Sequence, residues 1–207
     1  ISRFSGVRVD VAACRKHLGI SSRGPVVGTA GWLLPIKGPL VLIRAMEIVW
    51  ETISEASLIY LGHGPLKSDI EREARRLGAT HKVHLLGWRP SVDRILPLLD
   101  LFVMPSMNEG MGRVVVEAMA SGRPVVVSRI GGLTDLVCHG ETGLLVTPAD
   151  AGALATAIIW MLTHPEAARR MGAAGQKRSA GYSVEAMVHQ IDRLYAACGK
   201  SPTPSKQ

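Results

Sequence analysis

Short apolar runs alternate with amphipathic stretches along most of this chain. Val26–Ala30, Ser57–Leu61, Val83–Leu86, Leu101–Met104, Pro124–Val127 and Gly143–Val146 hold few polar positions and are bounded by Gly or Pro. Such runs read as strands buried on both faces. Between them the apolar positions move to helical spacing. Leu42, Ala45, Met46 and Val49 predict a helix over Pro39–Thr52. Pro65 is placed to open a charged helix reaching Leu77, and Ser91, with Asp93 in the first turn, to cap the next. Arg113–Ser121 reads as a further helix. Beyond Pro148 the pattern is helical throughout, over Asp150–Thr163, Pro165–Ala180 and Ser183–Ala197.

This alternation predicts an α/β fold: a doubly wound, parallel, six-stranded Rossmann-like sheet with trailing C-terminal helices. Ligands of such sheets sit beyond the carboxyl ends of the strands. The expected organisation is a linker over residues 1–22, the sheet domain over 23–164, helices packed on it over 165–200, and a disordered tail over 201–207.

Composition narrows the partners. The 207 residues are 47% hydrophobic, enough for one well-buried core. A net charge of +7 favours anionic partners: nucleotides, phosphorylated substrates or an acidic membrane surface. Aromatic residues make up only 4%, which argues against a base-stacking platform and hence against nucleic acid. Cys14, Cys138 and Cys198 are odd in number and far apart, pointing to a reducing compartment and away from a zinc site. His81 and His84 flank a strand at a spacing that sends them to opposite faces, so no metal is expected. No stretch reaches the roughly 20 apolar residues of a membrane span. The expectation is a cytoplasmic protein, with a peripheral seat on the inner face of the membrane as its furthest extension. The opening Ile1-Ser2-Arg3 reads as the edge of a piece of a longer protein.

The stretch from Asn108 to Pro124 carries the chemistry. Glu109 lies in the loop after a strand, at the ligand edge of the sheet. Gly110 and Gly112 remove side chains so that backbone N–H groups can approach a ligand. The helix from Arg113 aims its positive end at the same crevice, and Glu117 follows one turn in. Both carboxylates can accept hydrogen bonds from sugar hydroxyls. Two acidic residues at this spacing also fit a solvated loop and an ordinary helix face, so context has to decide.

That context is a resemblance to the C-terminal domain of the group-1 glycosyltransferases, retaining enzymes of the GT-B fold that need no metal. It runs from about Gly6 to Ala197. The family pattern E-x-F-G-x-x-x-x-E-A-M-A-x-G-x-P-V-V appears from Glu109 to Val126, with Met111 in place of Phe. Gly62-His63-Gly64-Pro65 resembles its G-x-G-P turn, Val83–Gly87 its V-x-F-x-G strand, Gly131–Asp135 its G-G-x-x-E, and Thr142–Val146 its T-G-x-L-V. Ser5–Asp10 is similar to its N-G-V-D linker.

The resemblance implies a nucleotide-diphosphate sugar as donor and no further cofactor. Glu109 would contact the donor sugar, Glu117 the ribose hydroxyls, and the amides of Met111 and Gly112 the diphosphate or sugar. Lys37, of Lys37-Gly38, would neutralise the diphosphate as the glycosidic bond breaks. Lys37 and Glu109 are thus the candidate catalytic residues. Gly31, Gly62, Gly64, Gly110 and Arg113 complete the candidate donor site. Trp88 either flanks the nucleotide base or packs against a helix, and His63 reads as a surface turn histidine. The acceptor would lie in an N-terminal domain of the same parent protein.

One departure stands out. The family's G-R-L is here Gly31-Trp32-Leu33, and an indole cannot replace a guanidinium at a phosphate. Arg113 and Arg129 are candidate substitutes, and a degenerate, non-catalytic module binding a nucleotide-sugar or a protein is the alternative reading. A nicotinamide-dependent oxidoreductase needs G-x-G-x-x-G after a strand. Gly62-His63-Gly64 continues as Pro65-Leu66-Lys67 and lacks the third glycine.

Overall fold

Val27, Leu58, Tyr60, Leu101, Val103 and Val126 are buried on one side of the sheet, and Val26, Ile59, Leu61, Phe102, Val125 and Val127 on the other. Adjacent residues in a strand point to opposite faces, so strands with apolar residues on both sides need cover on both. The computed structural model describes residues 1–21 and 23–198. The expected tail, residues 201–207, lies outside them, as do the last two residues of the expected helical segment.

The strands are β1 (Val26–Ala30), β2 (Ser57–Leu61), β3 (Val83–Gly87), β4 (Leu101–Met104), β5 (Val125–Ser128) and β6 (Leu144–Val146). They form one six-stranded sheet in the order β3-β2-β1-β4-β5-β6, parallel at every pairing. The helices are α1 (Val11–His17), α2 (Pro39–Thr52), α3 (Lys67–Arg76), α4 (Val92–Ile95), α5 (Arg113–Ala120), α6 (Leu133–Leu136), α7 (Ala151–Thr163), α8 (Pro165–Ser179) and α9 (Val184–Cys198). Helices α2, α3 and α7 cover one face, through Leu42, Met46, Ile70 and Ile158, while α5 and α6 cover the other through Val115, Met119 and Leu133. Helix α8 packs on α5 and α7. The doubly wound α/β reading therefore holds. Strand order reverses between β1 and β4, and a crevice opens at that point beyond their carboxyl ends.

Boundaries moved for physical reasons. Helix α3 starts at Lys67 rather than Pro65, because Leu66 N–H is taken by the Leu33 carbonyl at 3.1 Å and Gly64–Lys67 closes a turn. Ser91 does occupy the position before α4, yet its side chain makes no capping bond. Asp10 and Asp150 do cap, accepting from Ala13 and Ala153 N–H. The opening segment is packed down. Arg3 pairs with Asp93 at 2.7 Å, and Arg15 donates to the Leu98 carbonyl and to Asp100. Asp100 also accepts from Val26 N–H at 2.7 Å, tying this segment to the base of β1.

Candidate functional site

Two loops build the crevice from opposite sides of the strand reversal. After β1 the chain makes a 3-10 turn, Pro35–Lys37, and enters α2 through Gly38 in the left-handed region at φ 66°. A β-carbon there would run into the Pro105 carbonyl, so only glycine lets the two loops meet. After β4 the chain crosses Ser106–Gly110 and enters α5 through Gly112, also left-handed at φ 64°. No side chain caps α5, which leaves its first-turn N–H groups directed at the crevice.

A cavity of about 520 Å³ lies between these loops. Lys37, Glu109 and Glu117 line it from three different segments, with Gly31, Gly62, Trp88, Gly112 and Arg113 around them. Gly64, Gly110 and Met111 are not on its wall. Gly64 is pressed to the Leu33 backbone, Gly110 meets Gly132, and Met111 is exposed. Of the proposed substitutes for the missing arginine, Arg113 stands on the rim, 87% exposed, and leans on Glu117 at 3.6 Å. Arg129 is exposed and absent from the wall.

Electrostatics separate the two carboxylates. Lys37 Nζ donates to Glu109 Oε2 at 2.5 Å, with both side chains mostly buried. Sequence reasoning gave these residues separate partners and missed their pairing across 72 positions. Glu117 is held above the usual carboxylate range by burial, partly offset by Arg113 and Arg3. It stands one helical turn inside a ready anion site with its hydrogen-bonding capacity turned to the cavity.

For three residues already visible in the sequence, the structure adds what they touch. Gly131 and Gly132 bring the loop after β5 against the Glu109 and Gly110 carbonyls, where a β-carbon on either would collide. They hold the Glu109 loop in place, and the sequence signal was their Gly-Gly pair. Trp32 is 60% exposed on the cavity wall and packs edge-to-face on His63, ring centroids 4.8 Å apart. Among the described residues no cluster of three His, Cys, Asp or Glu could hold a metal ion. No helix among them is long and apolar enough to cross a membrane.

Residues 10–178 match the family described as "Glycosyl transferases group 1", and the chain belongs to that family. It is 35% identical over 189 residues to a D-inositol 3-phosphate glycosyltransferase of Corynebacterium glutamicum, covering 87% of this chain and 45% of that protein. It is 35% identical over 176 residues to a GDP-mannose-dependent alpha-(1-6)-phosphatidylinositol monomannoside mannosyltransferase of Mycolicibacterium smegmatis, covering 80% of this chain and 45% of the relative. Anabaena Alr3699/HepE, crystallised with UDP and glucose, superposes with a TM-score of 0.85 at 27% identity, covering 94% of this chain and 54% of that one. The chain thus spans about half the length of these relatives.

Proposed function

We propose that this chain is the donor-binding half of a retaining, metal-independent glycosyltransferase, and that the cavity at the strand reversal takes a nucleotide-diphosphate sugar. The observation that carries this reading is the convergence of Lys37, Glu109 and Glu117 on one cavity at the mouth of α5. Glu117 accepts hydrogen bonds from the ribose hydroxyls and Glu109 from the sugar. The pyrophosphate lies between them, against the first-turn N–H groups of α5, and shares Lys37 with Glu109. As the bond from the anomeric carbon to the phosphate oxygen breaks, negative charge grows on the departing diphosphate, and the Lys37 ammonium stabilises it. A protein cation supplies this, so no divalent metal is required.

In this reading the acceptor is held by an N-terminal domain of the parent protein, residues 1–22 are the linker from it, and residues 23–164 and 165–200 are the donor domain and its helices. Helix α9 supports that arrangement: Val184, Met187, Val188, Ile191, Leu194 and Tyr195 form an exposed apolar stripe at helical spacing. We place the protein in the cytoplasm on its odd number of widely spaced cysteines, and read the +7 charge as suiting a peripheral seat at an acidic membrane surface in the full-length protein.

Trp32 favours a second reading, a module that binds the donor or a protein without catalysing transfer. Titration of the chain with UDP-, GDP- and ADP-sugars tests the first step common to the donor readings. Binding of one of them in the micromolar to millimolar range is expected. Silence across the panel would remove the donor site. Transfer by this chain alone at the rate of a two-domain relative would remove the need for an acceptor domain.

A further inference from the structure

The turn Gly62-His63-Gly64 is fastened to its neighbours along its backbone. Gly31 N–H donates to the Leu61 carbonyl at 2.8 Å, Leu33 N–H to the His63 carbonyl at 3.0 Å, and Gly62 N–H to the Gly87 carbonyl at 2.8 Å. A β-carbon on Gly62 would run into the Gly31 carbonyl oxygen, and one on Gly64 into the Leu33 backbone. The two glycines therefore let the turn lie flush against the loop after β1, and His63 is the side chain it presents between them. That side chain is on the cavity wall and is the only histidine there among the described residues. Trp32 packs against it with the ring planes 61° apart, which restricts how the imidazole can swing. The turn is fixed along its backbone, while the exposed imidazole meets the exposed Trp32 ring at the cavity wall.

The charge on the wall falls short of a pyrophosphate. Lys37, Arg89 and Arg113 face Glu109 and Glu117, which leaves one net positive charge. Lys37 is already matched by Glu109 at 2.5 Å, and the Arg89 Nε donates to the Leu86 carbonyl at 3.0 Å. The pyrophosphate of a nucleotide-sugar carries two negative charges. Position 32, where the family resemblance places a guanidinium, holds an indole with a single N–H and no charge.

We propose that His63, as imidazolium, makes the second cationic contact to the donor diphosphate, so that donor binding by this chain strengthens as the pH falls. The proposal rests on the donor-site reading above. Imidazoles change charge between about pH 5 and 8, so the contact is made at the acid end and lost at the basic end. The pyrophosphate is esterified on both sides and keeps its charge throughout, so the ligand does not supply the slope. Protonating Glu109 or Glu117 also lowers the negative charge facing the dianion, and protonating Glu109 releases Lys37, so a slope in the parent alone does not identify its source. His63→Gln therefore carries the assignment, because it leaves both carboxylates in place and removes only the imidazole.

The test is calorimetric titration of this chain with UDP-glucose and with GDP-mannose from pH 5.5 to pH 8. The parent chain is expected to lose about tenfold in affinity across that range, the scale of one charge-assisted contact. His63→Gln should bind at every pH as the parent does at pH 8. His63→Lys, which keeps a cation throughout, should bind at pH 8 as the parent does at pH 5.5; it also guards against a Gln variant that folds poorly. Measurable binding that is flat with pH in the parent, or a slope that survives in His63→Gln, overturns the role of His63 and leaves the donor site standing. No binding of either nucleotide-sugar at any pH overturns this inference along with the donor reading for those two donors.

Discussion

At the scale of single residues, the site divides its labour between two carboxylates that look alike in the sequence. Glu109 is satisfied by Lys37, whereas burial raises the Glu117 carboxyl above its ordinary range. A raised value means that the folded chain holds the Glu117 proton more tightly than the unfolded chain does. The ionised form then costs stability that is absent below the unfolded carboxyl value, roughly 4.3, and is felt in full once the pH has risen through the folded one. Glu117→Gln is therefore expected to raise the Tm at pH 7, with the gain vanishing towards pH 4, while nucleotide affinity falls. Thermal melts at the two pH values check this, and an unchanged or lowered Tm at pH 7 would count against it. Arg113, which loses its partner in this variant, is 87% exposed and has little to lose. Identities at this scale were legible: Lys37, Glu109 and Glu117 do share one cavity. Their pairings were not, because the Lys37–Glu109 contact is made by the sheet and no local spacing encodes it. His63 is the exposed turn histidine that the sequence suggested, but its place on the cavity wall was not legible, since the turn is fixed by backbone bonds to Leu33 and Gly87 far along the chain.

At the scale of elements, the entry to α5 is the feature on which the site depends, and its two glycines are not equivalent. Gly112 sits in the left-handed region, and a β-carbon there would strike the Leu133 side chain, whereas one on Gly110 would meet open space. Gly112→Ala should cost on the order of 1–3 kcal/mol. Gly110→Ala should change stability by no more than about 0.5 kcal/mol. Denaturant unfolding of the pair measures the difference, and equal losses would contradict the account. Sequence reasoning gave both glycines one purpose, the approach of backbone to ligand, because positive φ and a neighbour from a distant loop leave no mark on local pattern. Strands and long helices were read within a residue or two, since each repeats its burial signal over several positions. The short α1, the 3-10 turn before Gly38 and the four-residue α6 escaped, being too brief to show a period.

At the scale of the whole molecule, the order β3-β2-β1-β4-β5-β6 puts the loops after β1 and β4 side by side, although about 70 residues of chain separate them. The Lys37–Glu109 pair beside the mouth of α5 follows from that adjacency. The parallel, doubly wound class was legible from strands with few polar positions. The place of the cavity was legible only as a rule for such sheets, which the strand order then made specific. The same order lets the N-terminal segment brace the base of β1 through Asp100 and leaves α9 with its apolar stripe exposed. The measurement that tests the account most directly is a crystal structure of this chain with a bound nucleotide-sugar. The expected result places the ribose hydroxyls on Glu117, the pyrophosphate within hydrogen-bond reach of Lys37 Nζ, His63 and the first N–H groups of α5, and the sugar on Glu109. A donor bound elsewhere on the surface, or one whose ribose avoids Glu117, would contradict it.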